Sequence, residues 1–443
     1  MDIKGTTRVC GLIGNPVGHS VSPAIHNNLA RLTGKDMVYT TFKVEKGDVA
    51  SAVRGAYSLN ILGLNVTVPH KSEVIDSLVD IDPLAKAIGA VNTLVRVDGG
   101  FKGYNTDILG LARELEDEGI ELADSKVIIL GAGGAARAIT FLCSSKGAKK
   151  IYLLNRSVDK AQDIAHAVNT HFHNEKVIPM NIADYADIPG TDYIVIQTTS
   201  VGLHPNDTAV VIDDEAFYKK AAVGVDIIYN PGETMFMKLI KAQGKKAYNG
   251  LKMLLYQGVS AYELWNDCKI TKEEADEVYK CLQKELGIIL IGFMGSGKTT
   301  FGRWISTSHS MKFIDTDEYI EKKYNKLIKD IFRESGEEAF RNMETQAVRE
   351  LADSCDNCVI SVGGGLPVRD INRRLLKELG IVVYLKTEVD ELVKRLSKDT
   401  SRPLLAGGNL REKIESLMTA REALYKDAAD VIVSAVNIGI MED

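Results

Sequence analysis

Residues Gly292 to Thr299 read GFMGSGKT, the spacing G-x-x-x-x-G-K-[ST]. In that pattern glycine-loop N–H groups cradle phosphate oxygens, the lysine reaches the outer phosphates and the hydroxyl serves magnesium. The motif follows the apolar run Ile288 to Ile291, and Thr299, Thr300 and Phe301 can open a helix behind it. Strand, loop and helix therefore come in the order that places free N–H groups against an anion. Contacts to ATP are expected from Gly295, Ser296, Gly297, Lys298, Thr299 and Thr300. A second glycine stretch, GAGGAA from Gly131 to Ala136, follows the apolar run Val127 to Leu130. Its pattern of small residues fits a dinucleotide site, though such spacing is common by chance. Together the two motifs predict one chain that binds two different nucleotides.

These motifs need scaffolds, and 443 residues exceed one ordinary core. At about 150 residues per domain the length suggests three units. Apolar runs alternate with helical patterns throughout, the mark of α/β folds. Strands are predicted at Val9–Ile13, Met37–Val44, Gly63–Val68 and Val91–Val97. An amphipathic helix is predicted over Leu111–Leu122, then strands at Val127–Leu130, Lys150–Leu154, Val177–Pro179, Tyr193–Gln197 and Gly224–Ile228. Asp226 to Pro231 reads as a turn, and Thr234 to Glu285 as helix with a break at Gly250. Only Lys284 to Gly287 separates that helix from the last unit. There, strands at Ile288–Ile291, Met311–Ile314, Val359–Val362, Ile381–Leu385 and Val431–Val433 suit a small doubly wound kinase.

A net charge of -6 gives no broad basic surface for nucleic acid or an anionic membrane, while leaving room for small anionic ligands. No apolar segment reaches a membrane span, and the N-terminal residues lack the apolar core of a signal peptide, so the cytoplasm is expected. Six cysteines make no disulfide framework, and Cys355 with Cys358 forms a lone C-x-x-C that implies no metal by itself. The composition does not speak to oligomeric state.

Several runs in the first part carry more polar groups than core strands should: Gly18 to Pro23 (GHSVSP), Asn65 to Lys71 (NVTVPHK), Ala90 to Thr93 (AVNT) and Gly103 to Asp107 (GYNTD). With Asn155-Arg156-Ser157, Thr199 to Gly202 and Gly250 to Gln257 (GLKMLLYQ), the stretch Arg8 to Trp265 resembles shikimate dehydrogenase. The resemblance implies an N-terminal α/β substrate domain over 1–110 plus 246–283, and an NADP-binding Rossmann domain over 111–245. It implies that Ser20 and Ser22 hold the shikimate carboxylate, that Asn92, Thr67, Tyr229 and Gln257 bind the ring, and that Lys71 and Asp107 are the catalytic pair. Such a pair is chemically reasonable, because ketone reduction needs a proton for the developing alkoxide and a positioned ammonium can supply it. Cofactor contacts are implied for Gly131, Ala132, Gly133, Gly134, Ala135, Asn155, Arg156 and Gly250. Many NAD folds place a carboxylate about 20 residues past the glycine loop. Here Arg156 stands at the strand end and suits a 2′-phosphate, which favours NADP(H). Gln197 departs from the Asn usual in the family before the Thr-Ser turn, and is expected to adjust the loop without abolishing activity.

After Lys298 come Phe313 to Asp317 (FIDTD), Gly336 to Arg341 (GEEAFR), Gly363-Gly364-Gly365, Arg402 to Leu405 (RPLL) and Arg421 to Tyr425 (REALY). The segment 286–443 resembles shikimate kinase, which implies a P-loop domain on a five-stranded parallel sheet. By that resemblance Lys298 contacts the β- and γ-phosphates and Thr299 and Asp315 place Mg²⁺. Asp317, as catalytic base, and Gly363, Gly364 and Gly365 meet the shikimate hydroxyls, Arg341 and Arg421 clamp its carboxylate, and Arg402 covers ATP. Asp317, two residues past Asp315, is expected to point the same way along an extended chain. Ser361 stands where a usual Walker B has Asp, which puts the metal burden on Asp315. The combined expectation is a bifunctional enzyme making shikimate and then shikimate 3-phosphate. A dehydrogenase preferring quinate, or a shikimate- or quinate-sensing regulator, is the alternative.

Overall fold

The computed structural model describes residues 3–18, 20–203, 206–309, 311–354, 358–397 and 409–434. Arg402 and Cys355 lie outside the described residues. The chain divides into two compact units, Met1–Tyr229 with Glu233–Leu282, and Gln283–Asp443 with Asn230–Gly232.

The first unit holds two sheets of six strands. The first sheet uses β1 (Arg8–Gly14), β2 (Met37–Lys43), β3 (Gly63–Val66), β4 (Asp80–Ile81), β5 (Thr93–Val97) and β6 (Gly100–Tyr104), in the order β2-β1-β3-β5-β6-β4. Strand β3 runs parallel to β1 and antiparallel to β5, so the ends of β1 and β3 meet the start of β5 along one edge. The second sheet is parallel throughout: β7 (Lys126–Leu130), β8 (Lys150–Asn155), β9 (Val177–Asn181), β10 (Tyr193–Gln197), β11 (Ala221–Asp226) and β12 (Lys246–Tyr248). Its order, β9-β8-β7-β10-β11-β12, is that of a dinucleotide fold, with the direction of travel reversing between β7 and β10. Val127 to Leu130 are fully buried, as a strand covered by helices on both faces requires.

The chain then returns to the first sheet. Helix Leu251–Asn266 packs against helix Asp107–Asp117 at a glycine: a Cβ on Gly110 would sit 2.5 Å from the Met253 carbonyl oxygen. The far end of the returning helix is pinned where Trp265 Nε1 donates to the Leu94 carbonyl at 2.9 Å. Helix Lys272–Leu286 follows.

The second unit has five parallel strands, β13 (Ile288–Ile291), β14 (Lys312–Asp315), β15 (Cys358–Ser361), β16 (Ile381–Lys386) and β17 (Val431–Ser434), in the order β14-β15-β13-β16-β17. The loop after the central β13 opens helix Lys298–His309, so the phosphate motif sits at this sheet's own switch point.

Several expectations are corrected. The helix predicted over 111–122 spans Asp107–Asp117, because Gly119 takes a left-handed φ of 67° and stops it. The stretch from Thr234, read as helix with its break at Gly250, is interrupted earlier, by β12, an edge strand paired to β11. β11 itself begins and ends earlier than Gly224–Ile228, since Asp226 turns the chain by accepting from the Ile228 N–H at 3.0 Å. The helix before the last unit runs through Leu286, leaving no separate linker from Lys284. β4 and β6 were not anticipated.

Candidate functional sites

At the edge where β1, β3 and β5 meet lies a cavity of about 430 Å³. Ser20, Ser22, Thr67, Lys71, Asn92, Asp107, Tyr229, Gly250 and Gln257 all line it, joined by Ala135 from the glycine-loop helix. At its centre Lys71 Nζ donates to Asp107 Oδ2 at 2.7 Å, with both side chains about one-quarter to one-third exposed at 25% and 32%. The Lys71 backbone is tied down where the Val91 N–H donates to its carbonyl at 2.8 Å. Asp107 sits in the first turn of its helix, where the macrodipole favours a carboxylate. Asn92 Nδ2 donates to Asp107 Oδ1 at 2.8 Å and to Gln257 Oε1 at 3.3 Å. Ser20 Oγ donates to Ser22 Oγ at 3.1 Å, so the two hydroxyls form one polar edge. An ammonium and several fixed donors around an apolar floor can bind a polyhydroxylated acid and deliver a proton to it.

Beside this cavity the glycine loop follows β7. Gly131 has φ 112°, and a Cβ there would lie 2.7 Å from Thr198 Oγ1, so only glycine lets the loop pass. Gly133 is the N-cap of helix Gly134–Ser145, and Cβ atoms on Gly133 or Gly134 would meet nothing within 4 Å. The helix N-terminus is thus open to a pyrophosphate. Asn155 ends β8, its Nδ2 donating to the Ser157 carbonyl at 2.9 Å, and Arg156 is exposed with no carboxylate partner among the described residues. Those residues fit a 2′-phosphorylated dinucleotide. Gln197 is buried and organises the 199–202 turn, accepting from the Thr199 N–H at 2.5 Å and donating to the Val201 carbonyl at 2.9 Å.

The helix that begins with Asp107 also carries Glu114, 1% exposed. Burial, reinforced by the charge of Glu118 and opposed by Lys252 and the Met253 N–H, pushes its carboxyl up from 4.5 to about 8. Between those values the folded protein keeps a proton that the unfolded chain has lost, so stability falls as pH rises from 4.5 to about 8. Asp226, raised by burial to about 7, acts in the same direction. Glu114→Gln is expected to be more stable than the parent by about 2–4 kcal/mol at pH 9 and nearly equal at pH 5, as read from urea melts of the first unit.

In the second unit, Gly292, Gly295 and Gly297 all have positive φ, and the Ser296 N–H closes the loop on the Phe293 carbonyl at 3.1 Å. Lys298 is buried and donates to the Gly292 and Phe293 carbonyls at 3.0 and 2.9 Å, lying across the loop it serves. Ser296 Oγ is buried with no partner among the described residues, as expected of a loop shaped around a polar ligand. Thr300 is exposed on the helix. Thr299 Oγ1 donates to Asp315 Oδ2 at 2.9 Å, a hydroxyl and a carboxylate placed together as magnesium coordination needs. The chain past Asp315 is not extended: Asp315 caps helix Thr316–Tyr324 by accepting from the Asp317 N–H at 3.0 Å, and Asp317 lies in its first turn.

Asp317 faces a separate cavity of about 440 Å³, lined also by Arg341, Arg421 and Gly363 to Gly365. A Cβ on Gly363 would sit 2.7 Å from Asp317 Oδ1, and one on Gly365 2.2 Å from the Arg341 guanidinium, so the triplet admits both side chains. Arg341 donates to Glu344 Oε2 at 2.7 Å and to Glu337 Oε1 at 2.8 Å. Arg421 Nη1 reaches the Gly364 carbonyl at 3.5 Å. Ser361 lies opposite Asp315 in the β14–β15 register and is buried.

Three residues escaped the sequence reading. Glu344 is fully buried, its carboxyl raised by burial to about 7 despite Arg341, and it holds that arginine toward the cavity. Its signal was an acid three residues past an arginine on a helix. Asn65 lines the first cavity from inside a motif already singled out, and Arg395 Nη1 reaches the Gly295 carbonyl at 3.4 Å from a separate helix.

Comparison with known proteins finds relatives for both parts of the chain. Residues 12–94 match the family described as shikimate dehydrogenase substrate binding domain, residues 111–213 that described as shikimate / quinate 5-dehydrogenase, and residues 294–438 that described as shikimate kinase. A shikimate dehydrogenase (NADP(+)) of Bacillus anthracis is 42% identical over 262 residues, covering 59% of this chain and 93% of that protein. A chorismate mutase/shikimate 5-dehydrogenase fusion protein from Clostridium acetobutylicum superposes with a TM-score of 0.57 at 35% identity, over 62% of this chain and 97% of that one. Shikimate 5-dehydrogenase from Listeria monocytogenes, solved with shikimate and NAD, gives 0.59 at 30% identity, over 64% and 98%. The chain therefore belongs to the shikimate dehydrogenase family, and carries behind that enzyme a shikimate kinase family segment.

Proposed function

We propose that this chain reduces 3-dehydroshikimate to shikimate with NADPH and then phosphorylates shikimate to shikimate 3-phosphate with Mg-ATP. The observation that carries the reading is the Lys71–Asp107 pair, fixed by Asn92 in the wall of a cavity built from family positions. The division we propose is a substrate domain of 1–110 with 246–283, an NADP-binding domain of 111–245 and a kinase domain of 286–443. The -6 net charge and small polar cavities favour small-molecule partners over nucleic acid or membrane, and a cytoplasmic setting.

In the first site, Ser20 and Ser22 bind the substrate carboxylate and Thr67, Asn92, Tyr229 and Gln257 its ring. Bound NADPH supplies the hydride to the ketone carbon. Lys71 gives a proton to the oxygen as charge develops there, and Asp107 keeps the ammonium oriented and charged. Glycines 131, 133 and 134 with Ala132 and Ala135 receive the pyrophosphate, Gly250 borders the cavity, and Asn155 and Arg156 receive the adenosine end. Arg156→Glu is expected to raise KM for NADPH by about 100-fold and that for NADH far less, since a charge-assisted phosphate contact becomes a repulsion; initial rates with each nucleotide measure it.

In the second site, Arg341 and Arg421 clamp the carboxylate, and Asp317 accepts the proton of the attacking hydroxyl. Bound Mg-ATP supplies the phosphoryl group. Lys298, Gly295 to Gly297, Thr299 and Thr300 neutralise and orient its phosphates, with Thr299 and Asp315 toward the metal. Positioning and charge neutralisation are what phosphoryl transfer asks of a protein.

The test supplies the full chain with 3-dehydroshikimate, NADPH and Mg-ATP, follows NADPH absorbance and resolves the products by mass. Shikimate 3-phosphate is expected. Shikimate alone would remove the kinase half of the reading; no NADPH loss would remove the dehydrogenase half and favour 3-dehydroquinate, tried in the same assay, as the ketone reduced, or a sensing role.

A further inference from the structure

Behind the wall of the first cavity a line of buried polar side chains leads to Asn92. It starts at Tyr39 on β2, 2% exposed, whose ring is stacked on His26 at 4.2 Å and flanked by Trp265 at 6.1 Å. Tyr39 Oη donates to Asn65 Oδ1 at 2.9 Å. With its oxygen so engaged, Asn65 turns its Nδ2 to Thr93 Oγ1 at 3.0 Å. Thr93 Oγ1, now an acceptor, lies 3.2 Å from Asn92 Oδ1 and 3.0 Å from Thr106 Oγ1, the places its own proton can go. Asn92 Oδ1 also takes the Thr106 backbone N–H at 2.7 Å. Its Nδ2 is thereby left to donate to Asp107 Oδ1, and Asp107 Oδ2 is left for Lys71.

Each bond fixes the polarity of the next. A tyrosine hydroxyl facing an amide oxygen sets that amide's orientation, a hydroxyl that accepts from the amide must donate onward, and donors gathered on Asn92 Oδ1 strengthen the N–H groups on its other side. Thr93 is the joint of the line: it is fully buried, and neither it nor Tyr39 lines the cavity. We propose that Tyr39, Asn65 and Thr93 form a directional hydrogen-bond line that orients the Asn92 amide and, through it, the Asp107 carboxylate, making Thr93 a positioning residue for the reduction. The proposal rests on the reading of Lys71 and Asp107 as the reacting pair.

The test is a kinetic comparison of Thr93→Val, which keeps the shape and removes the hydroxyl, with Thr93→Ser, which keeps the hydroxyl and removes the methyl. Thr93→Val is expected to lower kcat for shikimate oxidation about tenfold or more, the scale of a misplaced reacting group, with KM for shikimate and NADP⁺ within about twofold. Thr93→Ser is expected to restore most of that loss, and Tyr39→Phe to reproduce it in weaker form. Parental kcat in Thr93→Val, or equal losses in the Val and Ser variants, would overturn the proposal, the second by showing that packing and not the hydroxyl matters. Should Thr93→Val fail to bind NADP⁺, the Ser and Phe variants decide: full kcat in Tyr39→Phe overturns the line. Lys71→Ala is run beside them. If it keeps activity, the catalytic reading itself has failed; if it is inactive while Thr93→Val is not, only the positioning role has.

Discussion

Lys71→Ala is expected to lower kcat for 3-dehydroshikimate reduction by about 10³-fold, within the range that a positioned proton donor contributes. The KM values should change far less, because Asn92, Gln257 and the Ser20–Ser22 edge remain in place. The loss has two parts. The developing alkoxide loses its proton source, and the Asp107 carboxylate, left at the cavity wall with the Asn92 amide beside it, repels negative charge forming nearby. Phosphorylation of added shikimate by the same protein should proceed at the parental rate, since residue 71 and the phosphate loop belong to different compact units. A tenfold loss or less would mean that solvent, and not Lys71, supplies the proton.

The complementary variant, Lys298→Ala, is expected to lower kinase turnover by about 10³-fold, the scale of a lost charge that meets the transition state. Lys298 is bonded to the carbonyls of Gly292 and Phe293. Its removal therefore also loosens the loop, and KM for ATP should rise along with the fall in kcat. With 3-dehydroshikimate, NADPH and Mg-ATP present, this variant should consume NADPH normally and accumulate shikimate. Persistence of shikimate 3-phosphate at more than a few per cent of the parental rate would show that another cation covers the outer phosphates. Arg395, which reaches the Gly295 carbonyl, is the described residue placed to do so.

The phosphate loop and the glycine stretch after β7 were legible in the sequence because each is local: strand, loop and helix start lie within a dozen residues or so. Lys71 and Asp107 were legible only through their family motifs, as nothing in the spacing of residues 71 and 107 shows that they meet. Tertiary pairing brings them together, through the Val91 N–H on the Lys71 carbonyl and the Asn92 amide on Asp107. The misreadings also have physical causes. β6, GFKGY, has poor strand propensity and is held by its antiparallel partner β5, while its glycines make room for Val79 and Leu78. The helix was carried past Gly119 because its apolar residues continue to Leu122, although the glycine's positive φ decides the matter. The Asp315–Asp317 geometry was misjudged because a capping aspartate ends a strand and starts a helix in the same residue. Glu344 and the Tyr39 line were missed because burial of a polar group leaves no periodic trace, and an acid three residues past an arginine, or an Asn and a Thr inside a motif, does not by itself show which polar groups are buried together.

The return of helix Leu251–Asn266 to the first sheet has a consequence for how the protein comes into being. Asn92 and Gln257 are 165 residues apart in sequence, and Arg8 reaches Asn266 across 258. A nascent chain can form the whole nucleotide-binding sheet before the substrate cavity has its last wall. Contacts of such separation carry a large loop-closure cost and form late. Dehydrogenase activity should thus appear only after the segment past Gln257 has left the ribosome, when kinase sequence is already being added. A translation product arrested short of that point would bind dinucleotide without turning over shikimate, so the first of the two catalytic steps is gated by nearly complete synthesis of its own domain.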